Sequence, residues 1–172
     1  VVFFSLCVGS FLNVVILRLP KIMEQDWRCQ CEDFLEVAES QRADTKAVSL
    51  SSPNSTCPAC GHEIRPWENI PVISYLLLRG KCSACKAPIS VRYPLIESVT
   101  AVFSVATVVI MGPTVAALWA LVLVWALIAL TVIDFDTQLL PDSMTLPLMW
   151  LGLVLNYFGV LTDFASAFWG AV

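Results

Sequence analysis

Long apolar stretches separated by short polar breaks dominate this chain. A helix that crosses a bilayer needs about 20 consecutive, predominantly apolar residues. Val115–Ile133 supplies 19 residues without a charge, and Gly112–Pro113 separates it from the apolar stretch that precedes it. The pattern therefore predicts a transmembrane helix over each of residues 1–17, 95–111, 115–133 and 144–161, and the start of a truncated fifth helix over 164–172.

The composition places the chain among membrane proteins. Of its 172 residues, 58% are hydrophobic and 14% are charged, whereas ordinary globular chains are about 45–50% apolar and about 25% charged. These values exclude a soluble globular domain and an intrinsically disordered chain. We expect a mainly α, polytopic membrane protein. Because the chain has no initiator Met and its last helix is cut short, we also expect a fragment of a longer protein.

The basic residues are confined to one part of the chain. All ten Lys and Arg lie between Arg18 and Arg92, together with nine of the fourteen acidic residues. Loops rich in Lys and Arg stay on the cytoplasmic side of a membrane. We therefore expect residues 18–94 to form a cytoplasmic domain between the first and second spans, and residues 134–142 to return to the same face. This arrangement predicts a lipid bilayer, and no nucleic acid, as a partner.

The first part of the cytoplasmic segment has the spacing of a short amphipathic helix. Its apolar positions alternate with acidic residues and are Trp27, Cys31, Phe34, Leu35 and Ala38. We expect this helix to pack against its own domain. The polar stretch Ser49–Ser55 that follows is typical of a linker.

Two pairs of cysteines carry the strongest chemical motif. Cys57-Pro-Ala-Cys60 and Cys82-Ser-Ala-Cys85 are C-x2-C knuckles separated by 21 residues, a spacing close to that of zinc ribbons. Four thiolates on two tight turns suit a structural, tetrahedral Zn²⁺, because they leave no open position for water. Two disulfides or a redox pair are the alternatives, and a cytoplasmic location disfavours stable disulfides. The residues expected to lie outside the site are His62, Cys7, Cys29 and Cys31.

Three aspartates follow the third predicted span. Asp136 is expected to be solvated, and Asp142 is expected to cap the N-terminus of the fourth span. Asp134 directly follows the apolar helix, where the helix dipole disfavours a carboxylate. An ionisable side chain that is costly at a membrane and has no visible structural use is a candidate functional residue. From the residues alone, a functional and a structural role both stay open for Asp134.

Five motifs, taken in order, resemble those of bacterial type 4 prepilin peptidases. They are Gly9-Ser-Phe-Leu-Asn-Val-Val-Ile-Leu-Arg-Leu-Pro20, the two cysteine knuckles, Asn69-Ile-Pro-Val-Ile-Ser-Tyr75, Arg92-Tyr-Pro-Leu-Ile-Glu97 and the run from Asp134 to Asp142. The resemblance covers nearly the whole chain and is weakest between Ile22 and Ser52. It implies a polytopic aspartic endopeptidase of the bacterial inner membrane. Such enzymes remove the leader from type IV prepilins and type II secretion pseudopilins on the cytoplasmic side, and then N-methylate the new N-terminal residue.

The resemblance also implies roles for particular residues. Asp134 matches the first catalytic aspartate of the family, and the four knuckle cysteines match its cytoplasmic cysteine domain. Gly80, in Arg79-Gly80-Lys81, matches a position linked to methyl transfer from S-adenosylmethionine. The second catalytic aspartate of the family lies in a Gly-x-Gly-Asp motif, which does not occur in these 172 residues. The segment is therefore expected to hold half of a catalytic pair.

Two other functions stay open on the sequence alone. A membrane-anchored zinc-ribbon adaptor without catalysis would need its cysteines but not Asp134. A transporter that uses Asp134 as an ion site would need polar residues facing it from several spans, and the second and fourth predicted spans offer few.

Overall fold

The computed structural model describes residues 1–36, 49–52 and 54–171. Within them, regular structure is almost entirely helical, and β-structure is limited to two isolated bridges. The helices are α1 (Val2–Phe34), a 3₁₀ helix (Pro66–Asn69), α2 (Ile73–Leu77), α3 (Arg92–Met111), α4 (Val115–Thr137), α5 (Asp142–Tyr157) and α6 (Phe164–Ala171). The expectation of a mainly α chain with a cysteine-containing domain between two apolar helices is confirmed.

Three of these helices, α1, α3 and α4, are long and apolar enough to cross a membrane. At most 33% of the residues in the apolar window of each helix are buried within the protein. Most of their apolar surface therefore faces outward, as expected of helices that lipid surrounds. The turn between α3 and α4 contains Gly112 at a φ of 69°, a conformation that glycine adopts without strain.

The first helix is much longer than the predicted span over 1–17. It continues through Pro20 and includes most of the predicted amphipathic segment. Its 33 residues correspond to about 50 Å, whereas the hydrocarbon core of a bilayer is about 30 Å thick, so the second half extends out of the membrane. Trp27, Phe34 and Leu35 are exposed there, so among the described residues these side chains do not show the expected packing against the domain. Ala38, and Pro53 of the expected linker, lie outside the described residues.

The helices that follow also differ in their bounds from the predicted spans. α3 begins at Arg92, three residues before the predicted span, and α4 continues to Thr137, four residues beyond it. Asp134 and Asp136 therefore lie in the last turns of a helix rather than in a loop. α5 has 16 residues and ends at Tyr157, four residues before the predicted end.

The buried core lies where α1, α3 and α4 meet, toward the end that carries the charged residues. Its members are Leu12, Ile16, Ile96, Ala129 and Ile133. One turn away, the backbones of α1 and α3 come very close at Gly9. A Cβ on Gly9 would lie 2.7 Å from the Cα of Glu97. Small residues at such crossings let membrane helices pack closely, which here positions the charged end of α3.

Candidate functional site

Two short turns bring the knuckle cysteines together. In the first, the Cys57 N–H donates to the carbonyl of His62 and the Gly61 N–H donates to the carbonyl of Cys57, both at 2.9 Å. The same pair of hydrogen bonds forms around Cys82 in the second knuckle. Gly61 and Lys86 occupy equivalent positions and have φ values of 70° and 62°. The two knuckles are therefore similar turns, although only one of them has a glycine at the left-handed position.

The four predicted cysteines form a compact sulfur cluster. The Sγ atoms of Cys57, Cys60, Cys82 and Cys85 all lie within 4.8 Å of one another, and those of Cys57 and Cys85 are 3.8 Å apart. A tetrahedral zinc with Zn–S bonds of about 2.3 Å separates its sulfurs by about 3.8 Å. The cluster is therefore compatible with a structural Zn²⁺.

The surroundings of the four sulfurs do not favour deprotonation of each thiol to the same extent. The N–H groups of Cys85 and Ala84 hydrogen-bond to the sulfur of Cys82 and lower its pKa to about 6. The N–H of His62 acts in the same direction on Cys60, but hydrogen bonds with the neighbouring cysteine sulfurs and burial outweigh it and raise the pKa of Cys60 to about 12. Neighbouring thiolates repel one another, so a cation at the centre of the cluster would stabilise the fully deprotonated set.

A cluster of hydrogen-bonded polar side chains connects the two knuckles beside the sulfurs. The Nε2 of His62 lies 3.2 Å from the Oε2 of Glu68 and 3.3 Å from the Oγ of Ser83. The Arg65 N–H donates to the same carboxylate oxygen at 3.1 Å. Hydrogen bonds from Arg65, Ser83 and His62 lower the pKa of Glu68 to about 2. Glu68 therefore links the two knuckles as an anion, and His62 belongs to that link rather than to the sulfur cluster.

Gly80 lies between α2 and the second knuckle, in a position that requires a glycine. Its φ is 66°, and a Cβ would lie 2.8 Å from the hydroxyl oxygen of Tyr75 and 2.9 Å from Cζ of the same ring. The Gly80 N–H also donates to the Tyr75 carbonyl at 2.8 Å. The space on this side of Gly80 is occupied by the Tyr75 ring.

Asp134 lies near the end of α4 with its side chain exposed. Its carbonyl accepts the N–H of Gln138 at 2.8 Å, and Gln138 ends the helix in the left-handed conformation. Within the described residues, the carboxylate of Asp134 has no hydrogen-bond or ion-pair partner. It is therefore free to contact a group outside this part of the chain.

The other two aspartates differ from the prediction. Asp136 is exposed, as expected, but its carboxylate also forms a bidentate ion pair with the guanidinium of Arg92. The prediction that Asp142 is a helix cap is wrong, because Pro141 occupies the N-cap of α5 and Asp142 is its first residue. A carboxylate there still interacts favourably with the helix dipole.

Four of the motifs meet where the cysteine domain joins the helices. Glu97 is buried, and its Oε2 accepts the N–H of Val72 at 2.7 Å. The Asn13 side chain donates to the carbonyl of Tyr93 at 3.2 Å. Together with the Arg92–Asp136 pair, these bonds connect α1, α3, α4 and the segment before α2.

The residues that make this junction were not identified from the sequence. Glu97 is the one charged residue in the apolar stretch over 95–111, and that isolation was the available signal. Arg92 is separated from Asp136 by 44 positions, and no local pattern connects them.

Two family models match successive parts of the chain. A family model described as the bacterial peptidase A24 N-terminal domain matches residues 3–111, and a model of the type IV leader peptidase family matches residues 121–172. No solved structure matches the chain.

Curated relatives match nearly the whole chain. The prepilin leader peptidase/N-methyltransferase of Pseudomonas aeruginosa is 51% identical over 168 residues, which is 98% of this chain and 57% of the relative. The proteins of that name from Aeromonas hydrophila and Neisseria gonorrhoeae are 47% and 48% identical, and the match covers 98% of this chain and 58% of each relative. The chain therefore spans somewhat more than half the length of these relatives.

Proposed function

The chain belongs to the peptidase A24 family of type IV leader peptidases, and on that premise we propose that it is the N-terminal part of a prepilin leader peptidase and N-methyltransferase. It is a multi-pass membrane protein with three apolar helices. Its substrates would be type IV prepilins and type II secretion pseudopilins, processed at the bacterial inner membrane. The observation that carries the proposal is the carboxylate of Asp134 at the end of α4, which is exposed and has no partner among the described residues, inside the segment matched by the leader peptidase model.

We propose that Asp134 is one of two catalytic carboxylates. Peptide hydrolysis by a carboxyl pair needs one ionised member, which takes a proton from water, and one protonated member, which donates a proton to the scissile group. Two carboxylates held close together share one proton, because both cannot be charged at low cost. The second carboxylate would come from the Gly-x-Gly-Asp motif that the resemblance implies.

The position of Asp134 on α4 supports this role. Successive residues of a helix are about 100° apart, so Asp134 and Asp136 point about 200° apart around the axis. Because Asp136 is paired with Arg92 of α3, Asp134 faces away from α3. This face of α4 is open to a carboxylate from another helix and to a substrate whose apolar segment lies in the bilayer.

We propose that the active site faces the cytoplasm. Every Lys and Arg of the chain lies between Arg18, midway along α1, and Arg92, the first residue of α3, and segments rich in Lys and Arg stay on the cytoplasmic side. Labelling of Ser55→Cys, compared with the unmodified protein, should then require permeabilised cells, and labelling of Thr114→Cys should not. The reverse pattern would contradict the orientation.

The two proposed cofactors, Zn²⁺ and S-adenosylmethionine, are supported by different observations. Cys57, Cys60, Cys82 and Cys85 would hold a structural Zn²⁺, which would crosslink the two knuckles and stabilise the cysteine domain. S-adenosylmethionine would supply the methyl group for N-methylation. The resemblance links Gly80 to that step, but the surroundings of Gly80 support only a backbone role, and we assign no contact with the donor.

Leader cleavage by the full-length gene product that contains this segment tests the proposal. Asp134→Asn should abolish cleavage of a prepilin, because an amide can neither accept a proton from water nor share one with a second carboxylate, and a general acid or base is typically worth about 10²–10⁴-fold. Asp142→Asn is the matched control, because Asp142 is also exposed and lies eight residues further along the chain, and it should cleave at close to the wild-type rate.

A second assay separates catalysis from folding. Methyl transfer to a pre-cleaved peptide needs an amine and a donor rather than the carboxyl pair, so it should survive Asp134→Asn. An Asp134→Asn enzyme that cleaves at the wild-type rate would overturn the catalytic role and favour an adaptor function. Loss of both activities would point to a structural role for Asp134.

A further inference from the structure

A short apolar segment lies exposed on the cysteine domain. Leu76 and Leu77 of α2 are 68% and 77% exposed, and Ile70 and Ile73 are exposed beside them. In the part of the chain that the structure describes, Leu76 and Leu77 are largely uncovered, and Ile70 and Ile73 are 36% and 47% exposed. Apolar groups gathered on a surface commonly mark a contact with a membrane or a protein.

One hydrogen bond places this segment relative to the membrane helices. The N–H of Val72, directly before α2, donates to the Oε2 of Glu97. Glu97 is five residues into α3 after Arg92, which is about 7.5 Å along the helix axis. Helical side chains tilt toward the N-terminus, so the carboxylate reaches back part of this distance. Along the axis of α3, the start of α2 therefore lies at the same level as the first turns of that helix.

The neighbouring helix α1 indicates where the bilayer ends at this level. Its Asn13 side chain bonds to the carbonyl of Tyr93, which places Asn13 level with the start of α3. The apolar run of α1 continues from there to Leu17 before Arg18 interrupts it, about 6 Å further toward the charged side. The start of α2 therefore lies below the end of the apolar run of α1, at the depth where acyl chains meet headgroups.

The charges around α2 suit the same environment. Between Ile70 and Ile96 the sequence contains four basic residues and no acidic residue. Arg79, Lys81 and Lys86 are exposed. Basic residues close to a membrane surface are attracted by anionic headgroups, and apolar side chains flanked by Lys and Arg are typical of interfacial segments.

We propose that Ile70–Leu77, which we name the interface segment, is a membrane anchor. Ile73, Leu76 and Leu77 insert between the lipids of the leaflet on the charged side, and Arg79 and Lys81 contact anionic phospholipid headgroups. The partner is the bilayer itself. The anchor holds the cysteine domain against the membrane surface next to the ends of α3 and α4, and it does not depend on the proposed peptidase activity.

Fluorescence quenching of the full-length protein tests the anchor. The protein is reconstituted in vesicles of phosphatidylethanolamine and phosphatidylglycerol, with an environment-sensitive fluorescent amino acid encoded at Leu77 so that the cysteines stay unmodified. The matched control carries the same probe at Ile64, which is an exposed apolar residue of the first knuckle. Lipids brominated on their acyl chains should quench the Leu77 probe several-fold more than the Ile64 probe, and aqueous iodide should show the opposite order.

Two results would overturn the proposal. Equal accessibility of both probes to iodide would mean that the interface segment faces water. A Leu77 probe that neither brominated lipid nor iodide quenches would mean that protein, from the same chain or a second copy, covers the segment. Zinc content is measured in every labelled protein to confirm that the cysteine domain is folded.

A substitution provides the complementary measurement. Leu76→Ser combined with Leu77→Ser should raise the iodide accessibility of a probe at Ile73 while the zinc content stays unchanged, because both side chains are exposed and contribute little to packing. Unchanged accessibility would contradict a role for these leucines in anchoring.

Discussion

Arg92 and Asp136 join the first turn of α3 to the last turn of α4 by a bidentate ion pair. The pair lies two residues from Asp134 and fixes the rotation of α4 about its axis at that end. Because Asp134 lies about 200° around the helix from Asp136, the ion pair also sets the direction in which Asp134 points. A residue expected to be merely solvated thus orients the candidate catalytic residue.

We predict that Arg92→Gln and Asp136→Asn each lower leader cleavage by the full-length protein, and that the double variant is little worse than either single one. Both side chains are about one-third exposed, so the pair is expected to contribute about 0.2–1 kcal/mol to stability. Thermal unfolding in detergent together with cleavage rates measures the coupling. The charge-swapped variant Arg92→Asp/Asp136→Arg should recover part of the activity, and strictly additive losses would contradict the coupling.

Gly9→Ala should destabilise the α1–α3 contact. The added Cβ would meet the backbone of Glu97 at 2.7 Å, which cannot move without separating the helices, and overpacking typically costs about 1–3 kcal/mol. Gly152→Ala is the matched control, because a Cβ there meets nothing within 4 Å. The thermal midpoint should fall for Gly9→Ala and stay constant or rise for Gly152→Ala. Equal midpoints for the two variants would rule out close packing at Gly9.

Gly80→Ala should disturb the cysteine domain more than Gly61→Ala. Both glycines have positive φ, which costs an alanine about 1–2 kcal/mol, but only at Gly80 does the new Cβ also meet the Tyr75 ring. Zinc retention against a chelator compares the two variants. The double variant Gly80→Ala/Tyr75→Ala should retain zinc better than Gly80→Ala if the collision is the cause, whereas a direct role of Gly80 in methyl transfer predicts no loss of zinc.

Cys57→Ser should remove the metal and unfold the cysteine domain, because a structural zinc contributes about 10–16 kcal/mol to the folding of small domains. Cys29→Ser serves as the control, since Cys29 is an exposed free thiol outside the cluster. Elemental analysis should give one zinc per chain for the wild type and for Cys29→Ser, and none for Cys57→Ser. Two disulfides and no zinc in the freshly purified wild type would show that the four cysteines form covalent crosslinks rather than a metal site.

Features that depend on residues close together in the chain can be predicted from the sequence alone. An uncharged stretch such as Val115–Ile133 identifies a membrane helix because the bilayer imposes a minimum apolar length. The two C-x2-C knuckles predict a metal site because each pair of candidate ligands lies within one turn. The distribution of Lys and Arg predicts an orientation for the same reason, since the charge of a single loop is sufficient.

Contacts between distant residues, in contrast, depend on how the helices lie against one another and are seen only in the folded chain. Val72 and Glu97 are separated by 25 positions and Arg92 and Asp136 by 44, and their meeting depends on the register of α3 against α1 and α4. That register follows from the close approach at Gly9, which no periodicity encodes. The extension of α4 to Thr137 likewise depends on Gln138 closing the helix in the left-handed conformation and on Arg92 pairing with Asp136. The sequence places Asp134 at the edge of an apolar stretch. These contacts determine the direction in which its carboxylate points.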